Sequence, residues 1–130
     1  MKGLEDQFVE VRLDQIKSGA SIDLNTIRFE TGSSELSEGY QADLVRLVNW
    51  LEVNVDFKVQ IIGHTDNVGS YESNRILSLN RARAVKDFLT AAKISGDRLT
   101  ISGEGSSSPV ASNESEEGKA KNRRVEILIE

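Results

Sequence analysis

Residues Ile61 to Arg83, IIGHTDNVGSYESNRILSLNRAR, decide the reading of this chain. Phe57, Val59 and Ile61 alternate with Lys58, Gln60 and Ile62, the period of a strand that ends at Gly63. A polar, Gly-containing turn follows. Ser78 then reads as the cap of a long helix whose apolar stripe is Ala82, Val85, Phe88, Leu89 and Ala92. Small Ala82 and Ala84 permit a close approach to a sheet. This strand–turn–helix unit sets Asp66 at the strand exit and Arg81 in the first turn of the helix. A cation there opposes the helix dipole, where a Glu would complete a capping box. Such a break of a local rule tends to mark a functional position.

A carboxylate beside a guanidinium is the minimal receptor for a zwitterion. The acid accepts from an ammonium group, and the guanidinium donates to a carboxylate in a bidentate fork. The free N–H groups of a helix's first turn would add to the anion site. The expectation is therefore a binding site for an amino-acid head group, with Asp66 and Arg81 as its poles. The plainer alternatives are a turn carboxylate at Asp66 and, at Arg81, a surface ion pair with Asp66 or Asp87 worth ~0–1 kcal/mol.

Working outward, Val9, Val11 and Leu13 alternate as in a half-buried strand, and Lys17 to Ala20 read as a turn. Ile22 and Leu24 alternate, then the phase shifts to Ile27 and Phe29, which predicts a bulge near Asn25-Thr26. Thr31 to Ser34 form a loop. Ser37 is the expected cap of a helix carrying Tyr40, Leu44, Leu47, Val48, Leu51 and Val55 on one face. Leu99 and Ile101 mark a short strand ending at Gly103. The Ser-rich, acidic stretch from Ser102 to Asn122 holds the only proline, Pro109, and has room for a turn or two of helix over Glu116 to Lys121. Val125, Ile127 and Ile129 close the chain as a strand. Few helices and strands with one polar face predict an α+β fold. The expected form is a two-layer sandwich, with two long helices and a short one on one face of a small mixed four-stranded sheet. An extra N-terminal strand or hairpin over residues 1–20 would be an extension from an upstream linker, with residues 21–130 as the domain.

Composition narrows the function. The 130 residues suit one domain, with 38% hydrophobic and 28% charged residues. A net charge of −5 gives no basic field for nucleic acid or an anionic membrane. Cys is absent, which excludes disulfides, Cys-ligated zinc and a thiol nucleophile. No apolar run approaches the ~20 residues of a membrane helix, and MKGLEDQF lacks the apolar core of a signal peptide. His64 is the sole histidine, cannot build a zinc site alone, and reads as a structural hydrogen-bonding residue. Ser70, Ser73 and Ser78 sit in turn or cap contexts, so no hydrolase triad is expected. Neither catalysis, a metal nor a cofactor is predicted.

The motifs also carry a resemblance. GHTDNVG, Asn74, Leu77-Ser78, Arg81-Ala82 and Asn122 to Ile127 (NRRVEI) resemble the signature of the OmpA-like peptidoglycan-binding domain, over roughly Ile22 to Ile129. That family includes the periplasmic part of outer membrane protein A, the peptidoglycan-associated lipoprotein and MotB. The resemblance implies a two-layer α/β sandwich and non-catalytic binding of the meso-diaminopimelate of the peptidoglycan stem peptide. It places the parent protein at the outer membrane or envelope, with this domain periplasmic and itself not inserted in the membrane. It leaves a homodimer open. In family terms Asp66 is the binding acid and Arg81 the base that holds the diaminopimelate carboxylate. Asn74 and Leu77 match positions near the ligand, and Thr65, Asn67 and Val68 shape the loop and offer backbone N–H groups. Family members often carry a polar residue where this chain has Val68, and an aromatic one where it has Glu104. One of Arg123 and Arg124 is expected to reach the cleft or brace Asp66, with the other solvated. The competing expectation is a structural module of a motility, secretion or stator complex with secondary wall binding.

Overall fold

Side-chain pattern and topology combine into an α+β fold. The computed structural model describes residues 21–36 and 41–130. The strand read over Val9 to Leu13, the cap at Ser37 and the start of its helix at Tyr40 lie outside the described residues. In chain order the elements are β1 (Ser21–Arg28), α1 (Gln41–Val53), β2 (Val59–Gly63), α2 (Tyr71–Ala91), β3 (Leu99–Gly103), α3 (Glu116–Asn122) and β4 (Arg124–Ile129). The sheet order is β1-β4-β2-β3. β4 runs antiparallel to both β1 and β2, while β2 and β3 are parallel. The β1–β4 register shifts between Asp23 and Arg28, where the sequence predicts a bulge.

Alternation decides which sheet face is buried. Val59, Ile61, Leu99, Val125, Ile127 and Ile129 point into the core. There they meet Leu44, Leu47, Val48 and Leu51 of α1 and Ala82, Val85 and Leu89 of α2. Each fully buried aliphatic side chain contributes ~1.5–3 kcal/mol relative to exposure. Two details of α1 differ from the expected stripe. The helix ends at Val53, so Val55 is exposed, and Trp50 turns inward to pack on Phe57, with ring centroids 5.2 Å apart.

Two paired glycines seat α2 on the sheet. Gly63 and Gly103 lie opposite one another at the ends of β2 and β3. A Cβ at Gly63 would fall 1.8 Å from the Ser78 carbonyl oxygen, and one at Gly103 would fall 2.5 Å from the Leu79 nitrogen and the Ser78 Oγ. Only bare backbone fits there. Ser78 is therefore the contact point of the helix with the sheet, and Arg81 follows it over the strand ends.

Candidate functional site

The polar loop after β2 is short and fully knitted. The Thr65 N–H donates to the Gly105 carbonyl at 2.9 Å, extending the β2–β3 pairing beyond the strands. The Thr65 hydroxyl donates to the Asp66 carbonyl at 2.7 Å, and the Asp66 Oδ1 accepts from the Val68 N–H at 3.0 Å. The second contact is the local side-chain turn that Asp favours. Ser70 then caps α2, accepting from the Ser73 N–H at 3.1 Å.

This start corrects the sequence reading. The helix begins at Tyr71, not after Ser78. Ser78 is a buried interior residue that donates to the Arg75 carbonyl and accepts from the Gly105 N–H. Arg81 therefore lies at the middle of α2, about 15 Å along the axis from the free N–H groups of its first turn. Those groups do not join Arg81 in one anion site. The sequence pattern missed the first two turns because Tyr71, Glu72, Ser73, Arg75 and Ile76 are exposed and carry no apolar stripe.

Arg81 is fully buried, at 0% exposure. Its Nε donates to the Ser33 carbonyl at 2.8 Å, Nη1 to the His64 carbonyl at 3.0 Å and Nη2 to the Glu30 carbonyl at 3.0 Å. Its guanidinium lies 4.9 Å from the centroid of the Phe29 ring, within cation–π range. Burial pulls the Arg81 pKa down to about 10. The Asp66 charge opposes that pull and the Arg123 charge adds to it. A surface ion pair does not describe this residue.

Asp66 is also buried, at 3% exposure. Its Oδ2 accepts from Arg123 Nη1 at 2.8 Å, and Arg123 Nε donates to the Phe29 carbonyl at 2.6 Å. Of the two arginines at the head of β4, Arg123 is thus the one that braces Asp66. Arg124 is not solvated as expected. It is 4% exposed, and its Nη2 donates to the Ser108 carbonyl at 3.1 Å. Strand period explains the split. Arg124 continues the face of Glu126 and lies across from His64, whose N–H donates to the Arg124 carbonyl at 2.9 Å.

The remaining site residues divide. Asn74 is buried, and its side-chain amide donates to the Asp66 carbonyl at 3.4 Å. Leu77 is half-buried, while Asn67 and Val68 are exposed beside the Asp66 turn. Asn122 is a staple of the preceding loop, with its Oδ1 accepting from the N–H groups of Val110 and Ala111. His64 is 1% exposed, with Nε2 3.3 Å from Glu126 Oε1 and Nδ1 buried without a partner among the described residues. Desolvation, then Arg124, lowers its pKa, against opposing contributions from Glu126 and Glu104.

The segment Phe29 to Ser33 was missed by sequence reasoning. Both site arginines bond to it, Arg81 at Glu30 and Ser33 and Arg123 at Phe29. The acceptors are main-chain carbonyls, which leave no side-chain signature. The phase shift that brings Phe29 inward is the one trace in the sequence. Among the described residues no cluster of His, Cys, Asp and Glu could hold a metal ion, and no helix is long and apolar enough to cross a membrane. Asp66, Arg81 and Arg123 thus converge from three elements on a carboxylate-and-guanidinium cluster, a suitable receptor for a charged head group.

The family model described as the OmpA family matches residues 28–123. A peptidoglycan-binding protein, ArfA, of Mycobacterium tuberculosis is 44% identical over 98 residues, covering 75% of this chain and 30% of that protein. This chain thus spans under a third of that relative. The peptidoglycan-associated lipoprotein of Buchnera aphidicola is 34% identical over 126 residues, covering 97% of this chain and 69% of its own length. Among solved structures, the peptidoglycan-associated lipoprotein of Burkholderia pseudomallei superposes with a TM-score of 0.77 at 28% identity, covering 80% of this chain and 88% of that one.

Proposed function

The chain belongs to the OmpA family, and on that premise we propose that it is a non-catalytic peptidoglycan-binding domain that recognises the meso-diaminopimelate of the stem peptide. The observation that carries this is the buried Asp66 paired at 2.8 Å with the half-buried Arg123, beside the buried Arg81. A carboxylate and two guanidiniums are held where the loop after β1, the loop after β2 and the head of β4 meet. The free end of diaminopimelate is a zwitterion, and it can answer both charge signs of this cluster. Lysine at the same place in the peptide supplies the ammonium alone. The names of the relatives, one peptidoglycan-binding and others peptidoglycan-associated, support the same reading.

In this proposal residues 21–130 are the binding domain and residues 1–20 an extension from an upstream part of the protein. The parent is an outer-membrane or envelope protein, and this domain works in the periplasm. Modest single-site affinity suffices, because many copies facing one wall lattice gain avidity. Asp66, Arg81 and Arg123 form the charged centre. Asn74 and Thr65 hold the loop in shape, and Asn67, Val68 and Leu77 line its rim. Arg124 supports the strand end from the opposite sheet face.

The test is retention on purified sacculi, with a parallel titration by a stem peptide containing meso-diaminopimelate. Wild type is retained and releases no muropeptides. Asp66→Ala that remains folded by thermal melting loses both retention and the titration. Released muropeptides would replace this reading with an enzyme. Absence of retention would replace it with an interaction module.

A further inference from the structure

His64 takes no part in the charged cluster with its side chain, yet its backbone is built into it. By strand alternation its ring continues the sheet face of Ile62, opposite the helices, where it meets Glu126. Its N–H donates to the Arg124 carbonyl at 2.9 Å, which prolongs the β2–β4 pairing past Gly63. Its carbonyl accepts from Arg81 Nη1 at 3.0 Å. One residue thus ties the buried Arg81 to the other face of the sheet. Charged groups close in the ring. Glu126 of β4 stands 3.3 Å from Nε2, Arg124 acts on the ring from the head of β4, and Glu104 acts on it from the loop after β3. From α2, Arg81 reaches the His64 carbonyl. The residue is 1% exposed, and Nδ1 is buried without a partner among the described residues. A neutral ring fits this setting, with one N–H on Nε2 donating to Glu126. An imidazolium does not, because it carries a second donor with nothing to accept from it and a charge near the Arg124 guanidinium. Burial and Arg124 accordingly outweigh the two carboxylates and lower the His64 pKa from 6.5. A charged ring finds water only by turning out of the sheet, and that movement carries the His64 carbonyl away from Arg81.

We propose that His64 makes wall binding acid-sensitive: protonation of its ring parts the end of β2 from β4, withdraws its carbonyl from Arg81 and releases the wall peptide. The proposal rests on the diaminopimelate reading and adds a means of regulating that site from the opposite sheet face. The linkage has a definite sign. Bound peptide holds the Arg81 clamp closed, and the closed clamp holds the ring neutral. On acidification the complex therefore takes up fewer protons than the free protein does. Affinity is complete above pH 6.5 and declines as pH falls from 6.5 through the lowered value. One proton limits the decline to about tenfold per pH unit. The charged tip of the peptide titrates outside this window, its carboxylate below about pH 5 and its amine above about pH 7.

The experiment is calorimetric titration of the protein with a stem peptide containing meso-diaminopimelate, at about pH 7.5, about pH 6.5 and about pH 5.5. Each titration is repeated in buffers of different ionisation enthalpy. The expected result is affinity that falls several-fold from the highest pH to the lowest, with protons released to the buffer on binding at the lowest. His64→Gln, which has no titrating ring, flattens the profile. The chain has one histidine, so the imidazole signals in an NMR titration report this ring alone. Its pKa is expected to be lower with saturating peptide than without. An equal ring pKa in both states, or one affinity at all three pH values, overturns the proposal while the diaminopimelate reading stands. A folded His64→Gln that keeps the wild-type profile does the same. Absence of binding at about pH 7.5 overturns both. The wild-type measurements decide the matter even if His64→Gln does not fold.

Discussion

Two arginines of this chain make almost the same hydrogen bonds in different electrostatic settings. Arg98, at the end of the 3-10 turn Gly96–Arg98, donates to the carbonyls of Leu51, Asn54 and Phe57. Arg81 donates to those of Glu30, Ser33 and His64. Each is a three-point clamp on backbone. The Arg98 clamp closes the end of α1, where a helix leaves carbonyls unpaired and its dipole favours a cation. Its charge is at home, and its side chain is only half-buried. The Arg81 clamp holds two loops at the strand ends, is sealed from solvent, and has another guanidinium for a neighbour. Hydrogen bonds alone do not distinguish the two arginines. The difference lies in charge left over after those bonds are made.

Removing each clamp gives the largest contrast. Arg81→Ala strips three carbonyls of their donor and opens a cavity beside Phe29. Each unsatisfied buried group costs about 1–3 kcal/mol, so a loss of about 3 kcal/mol or more is expected in urea unfolding. Arg81→Lys recovers little, because an ammonium cannot span carbonyls that a planar fork reaches in three directions. Arg98→Ala costs about 1–2 kcal/mol, since water can reach part of the vacated helix end, and leaves sacculus retention intact. Equal losses of stability would show that burial does not separate the two sites.

Asp66→Asn comes next. The amide is isosteric and keeps an oxygen for the Val68 N–H, but it loses the ion pair with Arg123. The expected destabilisation is about 1–3 kcal/mol, with binding of the diaminopimelate peptide reduced by tenfold or more. In the combined Asp66→Asn, Arg123→Gln variant the stability losses are less than additive, because the two residues share one interaction. Additive losses within about 0.5 kcal/mol would mean that the 2.8 Å contact carries no coupling.

What the sequence disclosed follows the same division. Strands β2, β3 and β4 and the core face of α2 were legible, because burial writes a period into side chains. Val59 and Ile61, Leu99 and Ile101, and Val125, Ile127 and Ile129 carry it. The first turns of α2 were not legible. They project beyond the sheet, and Asn74 serves the Asp66 loop rather than the core. Asp66 and Arg81 were singled out from residue type and spacing, yet the reason given for Arg81 was wrong. It is unusual because it is buried against carbonyls, not because it sits at a helix start. Those carbonyls belong to residues whose side chains are exposed or play no part in the contact, so spacing cannot announce them. Arg124 was misjudged because a charged residue at a strand end is usually solvated. Here its carbonyl pairs with His64 and its guanidinium reaches the Ser108 carbonyl.

The smallest effect tests the two clamps through pH. One acceptor of Arg81 is the main chain of a titratable residue, His64, while Arg98 bonds to Leu51, Asn54 and Phe57, none of which titrates. The His64 pKa is lowered from 6.5 by burial first and by Arg124 second, and the opposing pull of Glu126 and Glu104 does not restore it. The folded state therefore prefers the neutral ring, and its buried Nδ1 has no acceptor for a second proton among the described residues. The unfolded chain takes that proton more readily. Stability from this source is complete above pH 6.5 and declines as pH falls from 6.5 through the lowered value, with a slope of at most about 1.4 kcal/mol per pH unit. Carboxylates titrate mainly below about pH 5, which leaves a window in which His64 acts alone. In that window the protection of the Arg81 Nε–H against hydrogen exchange, taken relative to the intrinsic rate at each pH, falls on acidification, while that of the Arg98 Nε–H stays constant. His64→Gln, which has no titrating ring, removes the difference. If both guanidinium protons respond alike in wild type, His64 is not coupled to the Arg81 clamp, and the acid sensitivity of the domain must come from its carboxylates.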